Sequence, residues 1–376
     1  MFDSSKYRDI EPYKGVDFKE SFARFLSKTD MLSAFVGNLL LDDDPRKDLF
    51  TSFIYSTKDR IQNYSDFQNV ITAGVLIPAI VEKTVKEFSF SGTENLDNDK
   101  GYLFISTHRD IVLDCALTDY ALMLSKKPLC QMAFGDNLIS SQFVEDLFRL
   151  NGGVIVKRDL PMREKYLESI RLSEYLVDTV TLDNCSIWIA QKSGRSKDGL
   201  DITHPAIIKM LFLSKKKDGI SFADLIKSVR IVPVSISYEY NPNDINMARE
   251  EVAIRKNGAH EKKKYEDTIS MMRGIKGYKG RVHVSFGQAL EGDYENPEEV
   301  AKEIDRQIHL SYRLFSTNYI AYDILSGKNE FKSNYSDFDR ASFINRLSHL
   351  TEEVKMEVIR GYANPVKSYL EQCGKL

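Results

Sequence analysis

Residues 101–122 read GYLFISTHRDIVLDCALTDYAL. The run YLFIS has the length and composition of a buried strand. It stops at Thr107, and His108, Arg109, Asp110 and Asp114 follow at once. An apolar pattern with helical spacing then begins. A strand, a polar corner and a helix in immediate succession predict one half of a βαβ unit. A histidine, an arginine and two carboxylates at that corner need a reason, since a strand buried on both faces has no structural use for them.

Outward from this stretch the pattern repeats. Short apolar runs, PLCQMAF (128–134), GGVIVKR (152–158), CSIWIAQ (185–191), VRIVPVSISY (229–238) and GRVHVSFG (280–287), alternate with helical blocks such as REKYLESIRLSEYLVDTVTLDN (163–184). This predicts an α/β fold with a mostly parallel sheet flanked by helices. Ligands of such sheets sit at the carboxyl ends of the strands. Residues 1–88 read as a helical N-terminal region, with Pro78 as a kink or break. Residues 89–295 form the α/β domain, and 296–376 read as a helical C-terminal region.

Composition narrows the classes. The 376 residues are 42% hydrophobic and 28% charged, with a formal net charge of −3. That is ordinary for a soluble globular chain and gives no basic field for nucleic acid. Two local basic runs, Lys215–Lys217 and Lys262–Lys264, read as solvated faces or as contacts for an anionic partner, a lipid surface or an acidic carrier protein. Cys115, Cys130, Cys185 and Cys373 are scattered, with no C-x-x-C, which fits a reducing compartment and offers no zinc spacing. The first residues are polar and include several acids, unlike a signal peptide. The most apolar window, NVITAGVLIPAIVEKT (69–84), is shorter than the roughly 20 residues a membrane span needs. The expected location is cytoplasmic, with peripheral contact at the inner membrane face as the alternative.

Four strand ends collect polar residues: THRDIVLD (107–114), GGVIVKRD (152–159), WIAQKSGRSKDG (188–199) and RIVPVSISYEYN (230–241). Histidine can take a proton from a hydroxyl near neutrality, and a carboxylate can hold its tautomer. Arg158 and Arg195 could each grip a phosphate through two parallel hydrogen bonds. Gly194, between Ser193 and Arg195, lets backbone amides reach an anion. One base and several phosphate-holding cations fit transfer to a hydroxyl on a phosphorylated substrate. Pro233, inside an otherwise buried strand, is expected at an edge, a bulge or a strand start, where something approaches the chain. No G-x-S-x-G, P-loop or G-x-G-x-x-G motif is present, against a serine hydrolase and nucleotide enzymes.

In this order the four blocks resemble the glycerolipid acyltransferase superfamily, most of all bacterial glycerol-3-phosphate acyltransferases. HRDIVLD is similar to the family's histidine, four residues and aspartate. GGVIVKR keeps the arginine as Arg158. KSGRSKDG keeps Gly194, Arg195, Ser196 and Gly199, and IVPVSISYEY keeps Pro233. FGDNL (134–138) and RVHVSFGQAL (281–290) also look like family segments, so the resemblance spans about 90–295.

The resemblance implies the acyltransferase fold and a mechanism without metal or cofactor. His108 would be the general base and an aspartate its orienting partner. The acyl group would come from acyl-carrier protein or acyl-CoA and pass to the hydroxyl of glycerol 3-phosphate, in phospholipid synthesis. The acceptor phosphate would be held by a set drawn from Arg109, Lys157, Arg158, Lys192, Ser193, Gly194, Arg195, Ser196 and Pro233.

Two features depart from the family. Five residues separate His108 from Asp114, one more than usual, and Asp110 lies only two away. Asp114 aligns better with the following helix, whereas Asp110 would need a sharp backbone turn. Lys192 stands where the family's third block has glutamate. These departures keep open transfer to lysophosphatidate or another lipid acceptor, and a degenerate homologue that binds acyl groups or lipid without turnover.

Overall fold

The computed structural model describes residues 5–40 and 46–376. Its centre is a seven-stranded sheet: β1 (Val85–Ser91), β2 (Leu103–Ser106), β3 (Gln131–Gly135), β4 (Gly153–Val156), β5 (Ile187–Ala190), β6 (Ile231–Tyr238) and β7 (Gly280–Phe286). The spatial order is β1-β7-β6-β2-β5-β3-β4. Every neighbouring pair is parallel except β6–β7. Six of the strands coincide with the apolar runs of the sequence.

β2 shows why those runs are continuous rather than alternating. All four of its residues are buried. Leu103 and Ile105 face one core with Ile187, Ile189 and Val154, while Phe104 faces the other with Trp188, Val232 and Val234. Both faces of the sheet are covered, so neither side of a strand can be polar. The core that Phe104 faces is closed by helices of the N-terminal region and by the helix Leu113–Leu124. The core that Leu103 and Ile105 face is closed by the helices Met162–Thr181, Pro205–Lys215, Phe222–Val229 and Pro297–Ser311. A third cluster, with Ile320, Phe343, Val358, Ile359 and Tyr362, binds the C-terminal helices to one another and to Ala248 of the helix Asp244–Asn257.

Two expectations about the N-terminal region are corrected. The first concerns β1, read as the end of a helix. Its helical predecessor stops at Thr84, and Val85–Ser91 pairs with β7. A register shift between Val85 and Glu87 breaks the strand's alternation, and its residues are only partly covered, so neither strand signal is clean. The second concerns Pro78, which does not interrupt the chain's helical path. The helix widens to π geometry over Gln68–Leu76, where the Ile77 amide donates to the Thr72 carbonyl, and continues as Ile77–Thr84 with Pro78 at its start. The wider turn accommodates a residue that has no N–H to give.

Pro233 lies inside β6, a central strand. Its carbonyl accepts from the Gly287 amide (2.8 Å), on the side where the β7 ladder has just ended at Val234–Phe286. Its missing N–H points to that same side, so no ladder bond is lost and the strand behaves there as an edge.

Candidate active site

The corner after β2 is built around the Asp114 carboxylate. Its Oδ2 accepts from the backbone amides of Arg109 (2.6 Å) and Asp110 (2.8 Å), and its Oδ1 from the Tyr238 hydroxyl (2.8 Å). His108 Nδ1 stands 3.4 Å from the same Oδ2. The side chain of Asp114 is 1% exposed and that of His108 13%, so the imidazole can meet a ligand while its carboxylate cannot. Burial pushes the Tyr238 phenol well above its ordinary pKa, with Asp114 adding to the effect, so it remains a donor.

Asp110 does something else. Its Oδ1 accepts from the amides of Val112 (3.0 Å) and Leu113 (2.8 Å), capping the start of the helix Leu113–Leu124. The longer spacing between His108 and Asp114 is thereby absorbed: residues 109–112 fold over the Asp114 carboxylate, and Asp110 ties the fold down. Burial, followed by the charge of Asp114, pushes the Asp110 carboxyl above its ordinary pKa.

The proposed phosphate-holding residues divide into two groups. Arg109 is buried and forms an ion pair with Asp201, donates to the Gly199 carbonyl (3.3 Å) and lies over the Tyr312 ring, 5.0 Å from its centroid. Lys157 pairs with Asp9 (2.5 Å) and stands 3.6 Å from Glu168. Lys192 donates to the Leu200 carbonyl (3.1 Å). The Ser196 amide donates to the His108 carbonyl (2.6 Å) and its hydroxyl to Leu200, which staples the loop after β5 to the loop after β2. Pro233, buried opposite Ile105, belongs to the sheet rather than to the strand ends. All five are engaged in holding the protein itself.

Arg158 and Arg195 are different. Among the described residues neither guanidinium has a hydrogen-bond or ion-pair partner, and Arg195 Nη1 is buried in that state. The two occupy one neighbourhood. Arg158 Nε and Asn137 Oδ1 crowd the same face of Gly135; Asn137 donates to Asp267 (3.2 Å); Asp267 and Asp110 both feel the charge of Arg195. Gly194 beside it has φ +81°, a conformation that favours glycine, and nothing within 4 Å of where a Cβ would lie. Ser193 is exposed on this loop.

Several contributors were not singled out from sequence. Tyr238 holds Asp114 from the end of β6. Asn241 Nδ2 donates to the Arg109 carbonyl (3.2 Å), and Asn243 Nδ2 to the Ser270 carbonyl (3.0 Å) while standing 3.5 Å from Asp110. The signal was present in SYEYNPN, polar residues packed behind a buried strand. Gln191, fully buried at the end of β5, has neither side-chain amide atom paired. One group with metal-ligand spacing exists among the described residues: Glu250, His260 and Glu266, with ligand atoms within 4.8 Å of one another. His260 Nε2 already stands 2.9 Å from Glu266, and Glu250 pairs with Lys197, so each of the three has a protein partner.

Residues 87–237 match the protein-family model described as Acyltransferase. Comparison with curated proteins gives no match. Among solved structures, the chain is similar to the 1-acyl-sn-glycerophosphate (LPA) acyltransferase PlsC from Thermotoga maritima, at 14% identity, covering 77% of this chain and 94% of that one, with a TM-score of 0.40. A likeness that distant carries no argument of its own. The matched segment 87–237 contains His108, Asp114, Arg158 and Arg195.

Proposed function

We propose that the protein transfers a fatty acyl group from a thioester, acyl-carrier protein or CoA, to the hydroxyl of glycerol 3-phosphate. The observation that supports this best is a reachable His108 held by a buried Asp114, with two unpaired guanidiniums following β5 and β4 of the same sheet. With Nδ1–H directed at Asp114, His108 Nε2 carries the free lone pair. It takes the proton of the acceptor hydroxyl as that oxygen attacks the thioester carbonyl. The tetrahedral intermediate collapses, the C–S bond breaks, and the thiolate leaves with the proton returned from the imidazolium. Arg158 and Arg195 hold the acceptor phosphate, which keeps the hydroxyl near the base. The donors around Asp114 keep its carboxylate fixed through the cycle, and no metal is required by this chemistry.

The same base and cations would serve a second acceptor, lysophosphatidate, which presents a hydroxyl and a phosphate monoester of the same charge; Lys192, tied to Leu200, does not choose between the two. Both readings are tested by following thiol release from acyl-CoA and acyl-carrier protein with each acceptor in turn. Release with glycerol 3-phosphate supports the first reading, release with lysophosphatidate alone the second, and release with no phosphorylated acceptor rejects both. Arg158→Gln and Arg195→Gln are expected to raise KM for the phosphorylated acceptor by about tenfold or more, as loss of a charge-assisted bond does.

A further inference from the structure

We propose that the outward face of the helix Glu266–Lys276, with Lys263 and Lys264 before it and Tyr278 after it, docks on an anionic lipid surface. The helix has two unlike sides. Ser270, Gly274 and Ile275 are buried. Tyr265, Thr268, Ile269, Arg273 and Lys276 recur at helical spacing on the opposite side and are exposed, with Met272 half-buried among them. Tyr265 is 63% exposed, Ile269 53% and Tyr278 57%, so three large apolar groups stand exposed on the helix and its two flanks.

The exposed charges on this face are mainly positive. Lys262 pairs with Asp267, and the Glu266 carboxylate is turned to the His260 ring. Lys263, Lys264, Arg273 and Lys276 have no ion-pair partner among the described residues; Glu261 is the acid of this stretch left unpaired. Lys264 Nζ sits 4.9 Å from the Tyr265 ring centroid, so cation and aromatic ring share the same spot. Cations alone would suit an acidic protein. Cations interleaved with exposed tyrosines and an isoleucine suit a lipid headgroup layer, where the rings enter the interface and the ammonium groups meet phosphates.

The inner side of the same helix borders the strand ends. A Cβ on Gly274 would lie 2.1 Å from Asp110 Oδ2, the Ser270 carbonyl accepts from Asn243, and Asp267 accepts from Asn137 beside Arg158. Docking by the outer face therefore brings the His108 corner within about one helix diameter, roughly 10 Å, of the lipid surface. No helix among the described residues is long and apolar enough to cross a membrane, so attachment through this face is of the peripheral kind.

The test is sedimentation of the full chain with vesicles of phosphatidylcholine alone or mixed with phosphatidylglycerol. Wild type is expected to bind the mixed vesicles and not the neutral ones, with binding falling as salt rises. A variant with Lys263→Ser, Lys264→Ser, Arg273→Ser and Lys276→Ser should lose about fivefold in partitioning for each cation removed. Tyr265→Ser with Ile269→Ser should weaken binding while keeping its salt dependence. Unchanged circular dichroism spectra of both variants guard against misfolding. Equal binding by wild type and the four-cation variant overturns the proposal. So does absence of binding to the mixed vesicles, including the case in which the four-cation variant loses only its use of a protein-bound acyl thioester, which would assign the face to an acidic protein. Vesicle binding needs no acyl transfer, so failure here and failure of the acyl-transfer reading are separate results.

Discussion

Two aspartates follow His108, and their surroundings give them different work. Asp114 is met by His108, two backbone amides and Tyr238; Asp110 caps a helix. Asp114→Asn is expected to lower the rate of thiol release by about 10³–10⁴-fold, because an amide there no longer fixes the imidazole tautomer. Asp110→Ala should cost about 1 kcal/mol of stability through the lost cap, with a rate loss below roughly tenfold. Thiol-release rates and denaturant midpoints of both variants check this. Equal rate losses in two folded proteins would contradict the division. The sequence alone left it open, since spacing to the histidine says nothing of where the backbone turns. That turn is set by amides 109 and 110 folding over a carboxylate, and amides carry no residue-type signal. The cations were legible as a set but not individually: Arg109 looks as available as Arg158 until Asp201, far along the chain, is seen beside it.

At the scale of elements, the loop after β5 carries two glycines with positive φ, for different reasons. Gly194 has open space around it, whereas a Cβ on Gly199 would lie 2.0 Å from the Gly361 carbonyl. Gly194→Ala is expected to cost about 1 kcal/mol, from backbone strain alone. Gly199→Ala must also push away the helix Glu352–Gln372, and its denaturant midpoint should fall by clearly more. β1 offers a second prediction. Burial, and then the Arg313 charge, lower the His283 pKa from 6.5 to about 4, while Ser89 (2.8 Å) and Ser91 (3.1 Å) of the edge strand meet its two ring nitrogens. A histidine whose folded pKa is depressed stabilises above its unfolded value, and that contribution is lost as pH falls through the folded one. The stability difference between wild type and His283→Gln should therefore shrink as pH falls from 6.5 to about 4. A difference that is flat with pH would remove His283 from the bonding of β1. Six strands were legible because burial on both faces made them continuous apolar runs. β1 was not, because its partial exposure and register shift leave neither a run nor an alternation.

Across the whole molecule, the parallel sheet and its strand ends followed from the repeat of strand and helix, while the role of the C-terminal helices did not. Asn364 donates to the Asp198 carbonyl (2.7 Å), the Tyr362 hydroxyl accepts from the Asn241 amide (2.9 Å), and Asn318 donates to the Tyr362 carbonyl (2.9 Å). These contacts join residues more than a hundred positions apart in two of the three cases, and helical periodicity reports only that such helices are amphipathic. Their effect is to hold the loops after β5 and β6 against the His108 corner, so the site depends on chain well outside residues 87–237. The proposed acyl transfer rests on His108 as its base. The direct test is the initial rate of acceptor-dependent thiol release from an acyl thioester by wild type and by His108→Ala, at matched folded concentration. Wild type should release thiol, and His108→Ala should do so about 10³-fold or more slowly; equal rates in the two proteins would remove His108 from the mechanism.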